Sequence, residues 1–241
     1  MVNDGMMERF EIDEVYGLHN IPGRPLGEFA IRPGTFYAAT GLFKVVITGQ
    51  GGHGAYPHEA VDPIIAASQI VQAVQTIASR NVDPFAPVVV SVTSFESSSK
   101  AYNVSPEAVT LKGTVRVMSD ATGDIVEDRF RNIVAENATA LGCTAEITFE
   151  RNYPSLVNSE AETEFAAAAA GVVSGACEAA DQTMWGEDFS FLLNARPVAY
   201  IHLGIGETAP LHHPKYDFND DAIPFGCSWF VELAESRMPL G

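Results

Sequence analysis

Between residues 43 and 150 the apolar residues change period several times, and this alternation restricts the fold more than any other feature of the chain. Phe43 to Thr48 (FKVVIT) is a β-branched and aromatic run that reads as a strand. Asp62 then suits a helix N-cap with Pro63 at the first helical position, and Ile64, Ala67, Val71, Val74 and Ala78 fall on one helical face. Val88 to Phe95 is a second strand. Val109 to Val117 alternates strictly, with Val109, Leu111, Gly113, Val115 and Val117 on one side and Thr110, Lys112, Thr114 and Arg116 on the other. A second helix is predicted from near Asp124, with Val126, Phe130, Ile133, Val134 and Leu141 at helical spacing and Gly142 at its stop. Thr144 to Phe149 closes the series as a strand. The order strand, helix, strand, strand, helix, strand is the split βαβ, ferredoxin-like pattern, in which one sheet carries both helices on one face.

The flanks follow a different rule. Val15 to Gly17 reads as a short buried strand that stops at Leu18-His19-Asn20, before Pro22, Gly23 and Pro25 break the chain. Glu160 to Ser174 is an alanine-rich helix, Val198 to Leu203 a buried strand, and Ile223 to Ser236 a final helix. These are pieces of an α/β domain interrupted by the ferredoxin-like one. The expected organisation is residues 1–42 and 154–241 as two parts of one domain, with residues 43–153 inserted.

Charge narrows the partners. The net charge of −17, from 31 acidic and 14 basic residues, opposes binding to nucleic acid or to an anionic membrane surface. Cys143, Cys177 and Cys227 are odd in number and lack C-x-x-C spacing, so a reducing, cytoplasmic setting is expected. The first residues carry Asp and Glu where a signal peptide needs an apolar run, and there is no apolar stretch long enough to span a bilayer.

Six histidines are the first candidates for chemistry, although a single histidine is more often a core or surface residue than a ligand. His19 follows a buried strand and precedes a Pro/Gly-rich loop, and the C-terminal ends of strands in open α/β sheets are where ligands sit. His212 lies in Ala-Pro-Leu-His-His-Pro, close to Asp217, Asp220 and Asp221. Neutral imidazole suits zinc-type metals. Glu187 and Asp188, after Gly186, read as a metal, substrate or supporting pair, or as acids at a helix N-terminus. Gly51-Gly52-His53-Gly54 allows close backbone approach around one imidazole, or is a flexible turn. Asn103 lies in a loop and Arg116 on the polar face of its strand, where a guanidinium suits bidentate binding of a carboxylate or faces solvent.

Taken in order, these segments carry a resemblance. Gly17-Leu18-His19-Asn20, Gly51-Gly52-His53-Gly54-Ala55-Tyr56-Pro57-His58, Val61-Asp62-Pro63, Tyr102-Asn103-Val104, Gly113-Thr114-Val115-Arg116, Gly186-Glu187-Asp188-Phe189-Ser190 and Pro210-Leu211-His212-His213-Pro214 resemble the M20 metallopeptidase superfamily. The match is to its amidohydrolase branch of hippurate hydrolases, N-acyl-L-amino-acid amidohydrolases and plant auxin-conjugate hydrolases. The resemblance implies a catalytic α/β domain holding two divalent metals (Mn, Zn, Co or Ni) and an inserted lid domain that forms a homodimer. It implies His19 and His212 as metal ligands and His53 as a lid residue that polarises the scissile carbonyl, reaching into a neighbouring subunit. Asn103 and Arg116 are implied to bind substrate, Arg116 through the substrate's carboxylate, and Glu187 is grouped with them. The implied activity is metal-dependent hydrolysis of the amide bond of an N-acyl amino acid.

The departure is at the N-terminus. Family members carry an earlier segment with a cysteine and a histidine ligand and two adjacent glutamates, one the general base. Met1 falls just after the place of those glutamates, and no other segment here replaces them. The expectation is therefore a fragment that supplies part of the ligand set and has little or no activity by itself, with apolar sheet edge exposed in the catalytic part. The competing readings are a non-catalytic dimerisation or small-molecule-binding module, which needs no metal, and a dipeptidase-type hydrolase of the same superfamily.

Overall fold

The computed structural model describes residues 1–238. In chain order the elements are α1 (Met6–Arg9), β1 (Val15–Ile21), β2 (Phe29–Ile31), β3 (Gly34–Tyr37), β4 (Ala39–Thr48), β5 (Gly52–His53) and α2 (Pro63–Ala73). There follow β6 (Val88–Ser97), β7 (Val104–Ser105), β8 (Ala108–Val117), α3 (Asp120–Ala140), β9 (Thr144–Tyr153) and β10 (Leu156–Asn158). The chain ends with α4 (Glu160–Ser174), β11 (Cys177–Ala179), α5 (Ser190–Leu193), β12 (Val198–Gly204) and α6 (Ile223–Arg237). No helix among the described residues is long and apolar enough to cross a membrane.

The chain divides into two compact units. One comprises Ala38–Ser155 with Met184–Gly186, and its sheet has the order β6-β8-β4-β9 with every neighbour antiparallel. Phe43, Val45 and Ile47 of β4 and Val109, Leu111, Val115 and Val117 of β8 form the inner face, packed on Ile70 and Val74 from the α2 segment and Phe130 and Val134 of α3. The alternate residues Leu42, Lys44 and Thr48 are exposed, as a period of two requires. Gly113 is the exception within the buried row. A Cβ there would lie 2.2 Å from the Phe43 ring and 2.1 Å from the Ser91 carbonyl, so only glycine lets the ring cross the strand. Asp62 caps α2 by accepting from Ile64 N at 2.9 Å. The helix α3 starts at Asp120, four residues earlier than the apolar period indicates, because Ser119 caps it through Thr122 N at 3.2 Å.

The other unit comprises Met1–Tyr37, Leu156–Thr183 and Glu187–Gly241, described to residue 238. Its sheet has the order β1-β12-β2-β11, with β1 parallel to β12 from Val15↔Val198 to Ile21↔Gly204. That pairing carries β1 through Leu18-His19-Asn20, where the sequence pattern ends the strand. Every residue of β12 is buried. Ala199, Ile201 and Leu203 join the cluster of α4 and α6, where Trp229 Nε1 donates to Ala166 O at 3.0 Å. Tyr200 packs in a second cluster with Phe36, Tyr37 and Leu156. The strands β2, β3, β10 and β11 have no counterpart in the sequence pattern.

Phe130 lies at the centre of the first unit, 4.5 Å from Phe43 and 5.7 Å from Phe149 between ring centroids. Phe130→Ala is expected to destabilise that unit by about 3–5 kcal/mol. Amide exchange should accelerate in β4 and β8, and an unchanged pattern there would show that the aromatic trio does not hold the sheet.

Candidate functional site

His19, Glu187 and His212 belong to one unit, and His53, Asn103 and Arg116 to the other. In the first of these units the site grows from the C-terminal ends of β1 and β12. His19 and His202 are register partners. His19 Nδ1 lies 2.7 Å from the Asn20 carbonyl. A carbonyl only accepts, so Nδ1 carries a proton and Nε2 is the ring nitrogen left to face a ligand, the orientation found in metal-binding imidazoles.

His202 is buried at 7% exposure and pairs with the Tyr37 hydroxyl at 2.5 Å. Burial, then neighbouring His19 and Arg24, lower its pKa to about 3, so it is neutral at physiological pH. Tyr37 and Tyr200 are both pushed up by burial first and by Glu187 after it. Tyr200 donates to Glu187 Oε2 at 2.7 Å, and Phe189 N donates to Oε1 at 3.2 Å. The Tyr200 ring stands edge-on to His19 at 6.4 Å between centroids and crosses Gly17, where a Cβ would lie 2.6 Å from it. Glu187 thus holds the tyrosine beside His19, which the sequence pattern does not indicate.

His212 is exposed, in the loop between β12 and α6, with φ of 63°. Left-handed backbone at a non-glycine residue costs on the order of 1 kcal/mol and persists where the surroundings fix it. Four residues on, the Tyr216 hydroxyl donates to Asn20 Oδ1 at 2.7 Å, so the His212 loop is tied to the residue next to His19. Among the described residues no three or more His, Cys, Asp or Glu side chains are grouped so as to hold a metal ion. Imidazole nitrogen is a donor type that suits such an ion.

In the other unit, His53 and Asn103 are neighbours. His53 pairs with Val104 across β5 and β7, and Gly54 N donates to Asn103 O at 2.8 Å. His53 is exposed, and its Nδ1 accepts from Ala55 N at 3.1 Å, which puts the ring proton on Nε2. Arg116 is half-buried on β8 and donates only to Val115 O and Thr114 Oγ1 among the described contacts, with no carboxylate partner. Desolvation lowers its pKa from the ordinary value. The β5–β7 hairpin lies beyond the end where Ala108 pairs with Thr48, whereas Arg116 pairs with Thr40 near the other end. At 3.3 Å per residue, the eight steps from Ala108 to Arg116 span roughly 25 Å. The structure therefore brings His53 to Asn103 and keeps both away from Arg116 along the sheet. His202, Tyr37, Tyr200 and Tyr216 are the residues that sequence patterns miss; a histidine inside the apolar run Val198 to Gly204 is the one available signal.

The profile of the peptidase family M20/M25/M40 matches residues 1–236. The chain belongs to this family. Among curated relatives, the N-acetyldiaminopimelate deacetylase of Enterococcus faecalis is 36% identical over 89% of this chain and 57% of its own length. The hippurate hydrolase of Campylobacter jejuni is 33% identical over 97% of this chain and 62% of its own. Among solved structures, the YXEP protein of Bacillus subtilis, described as a dinuclear metal binding peptidase from the M20 family, superposes with a TM-score of 0.82 at 26% identity, covering 98% of this chain and 60% of that one. This M20 chain thus spans about three fifths of the length of the relatives it matches.

The buried His202 gives a pH test. The unfolded chain protonates it near 6.5 and the folded one only near 3, so between these values the unfolded state binds more protons. This group therefore makes stability fall as pH falls through that window, by at most about 1.4 kcal/mol per pH unit. Urea midpoints measured across the window should flatten in His202→Gln, and an unchanged slope would show that His202 is not held neutral.

Proposed function

We propose that this chain serves metal-dependent hydrolysis of the amide bond of N-acyl amino acids, with Arg116 receiving the free carboxylate of the substrate. The observation that carries the reading is the half-buried Arg116 guanidinium without an acid partner among the described residues. A desolvated arginine retains its charge, and a planar carboxylate matches its donors in pairs. The names of the relatives, a hippurate hydrolase and an N-acetyldiaminopimelate deacetylase, agree with a substrate that has an acyl group at one end and a carboxylate at the other.

His19 and His212 are the residues that would hold a divalent metal, supplying part of the ligands for the pair of ions (Mn, Zn, Co or Ni) proposed for the intact site. A bound ion there supplies Lewis acidity toward the scissile carbonyl. The Nε2–H of His53 is a donor for the oxygen as negative charge develops on it, since its Nδ1 is engaged by Ala55 N. Asn103, fixed beside it, offers an amide to the same substrate. The separation of these two from Arg116 along β8 supports a homodimer in which the His53 hairpin of one copy serves a substrate held by Arg116 of a second.

The test is hydrolysis of N-benzoylglycine and N-acetyl amino acids by the metal-loaded protein, with equilibrium binding of the same compounds where turnover is absent. Arg116→Ala should weaken binding about 10- to 100-fold, as expected for a lost charge-assisted pair. Substrate amides lacking the carboxylate should bind wild type and variant alike. Equal binding of acids and amides by the wild type would remove the basis for the reading.

A further inference from the structure

The loop carrying His212 is shaped by bonds within itself. His213 N donates to Pro210 O at 3.1 Å, Tyr216 N to His213 O at 2.9 Å, and Asp217 N to Thr208 Oγ1 at 3.3 Å. Lys215 N also donates to His213 Nδ1 at 3.1 Å. These contacts give the loop a form without fixing where it lies. Tyr216 fixes it. The ring packs at the margin of the apolar cluster that also takes in Leu18 and Phe225, and the hydroxyl reaches Asn20 Oδ1 at 2.7 Å, across 196 residues of sequence. Asn20 in turn is held in β1 opposite Leu203, and its carbonyl accepts from His19. One residue thus sets the orientation of the His19 ring and anchors the loop of His212.

We propose that the Asn20–Tyr216 hydrogen bond is a latch that sets the His212 loop against the His19 strand, making Asn20 and Tyr216 positioning residues for the two imidazoles as ligands of divalent metal. This rests on the reading of His19 and His212 as ligands. Neither Asn20 nor Tyr216 needs to touch the cation. The latch raises the fraction of chains whose loop is already in place, and apparent affinity scales with that fraction. The left-handed backbone of His212 belongs to the same arrangement, since a strained residue keeps its conformation only while the loop around it is held.

The experiment is calorimetric titration with zinc ion alone, beside amide exchange measured without metal. Tyr216→Phe keeps the ring in its cluster and removes only the hydroxyl, and Asn20→Ala removes the acceptor. Each is expected to weaken zinc binding about tenfold and to accelerate exchange in residues 208–217 by a similar factor, with β12 unaffected. The double variant should lose no more than either single one, because both remove the same bond. The latch is overturned if affinity and loop exchange in Tyr216→Phe stay within about twofold of wild type, if the two losses multiply, or if affinity falls while exchange does not. His19→Ala and His212→Ala separate the two claims. If these leave zinc binding unchanged, the ligand reading fails, and unaltered loop exchange in Tyr216→Phe then overturns the latch independently.

Discussion

Seven residues of β1 lie in register beside seven of β12, and this ladder is what brings residues 15–21 along the whole of residues 198–204 in the unit outside the insertion. Nearly everything of chemical interest there follows from this pairing. It puts His19 next to His202, and it brings Gly17 beside Tyr200, whose ring crosses the space a side chain would fill. Because β12 alternates, its apolar residues face the helices while Tyr200 and His202 are left on the side of Phe36 and Tyr37. A buried neutral imidazole, two tyrosines and a carboxylate then share one small space, and each polar group in it has a partner.

The ferredoxin-like unit solves a simpler problem. One face of its sheet is filled by two helices, which leaves the polar face and the hairpin of His53 and Asn103 outside the packed core. Arg116 occupies that polar face at a depth where its charge is partly desolvated and no acid among the described residues neutralises it. The sheet sets the backbone span between this cation and the hairpin, and at roughly 25 Å side-chain rotation alone does not close it.

The legible part of the fold is the part with local causes. The Asp62–Pro63 start of α2, the alternation of β8 and the full extent of α4 all follow from neighbouring residues. The start of α3 is hidden because a serine cap carries no apolar signal. The strands β2, β3, β10 and β11 have three or four residues each and form only because distant partners accept them, as Leu156 does for Tyr37. The site divides in the same way. His19 and His212 stand out by their punctuated surroundings, whereas Tyr216 looks like any loop aromatic until Asn20 is found at its hydroxyl. His202 hides among apolar residues because the Tyr37 hydroxyl that makes its burial tolerable is 165 residues away.

The two ends of the inserted unit emerge side by side, since Thr40 at the start of β4 pairs with Tyr153 at the end of β9. This bears on how quickly the molecule can assemble. Contacts between β1 and β12 are of very high sequence separation, and closing so long a loop is slow. The inserted unit is almost continuous in sequence and rich in nearer contacts, so it can form first. Once it has, residues 38 and 155 are held as neighbours, and the loop left to close loses most of its effective length. The insertion therefore acts as a clasp during folding that delivers the first strand to its partner.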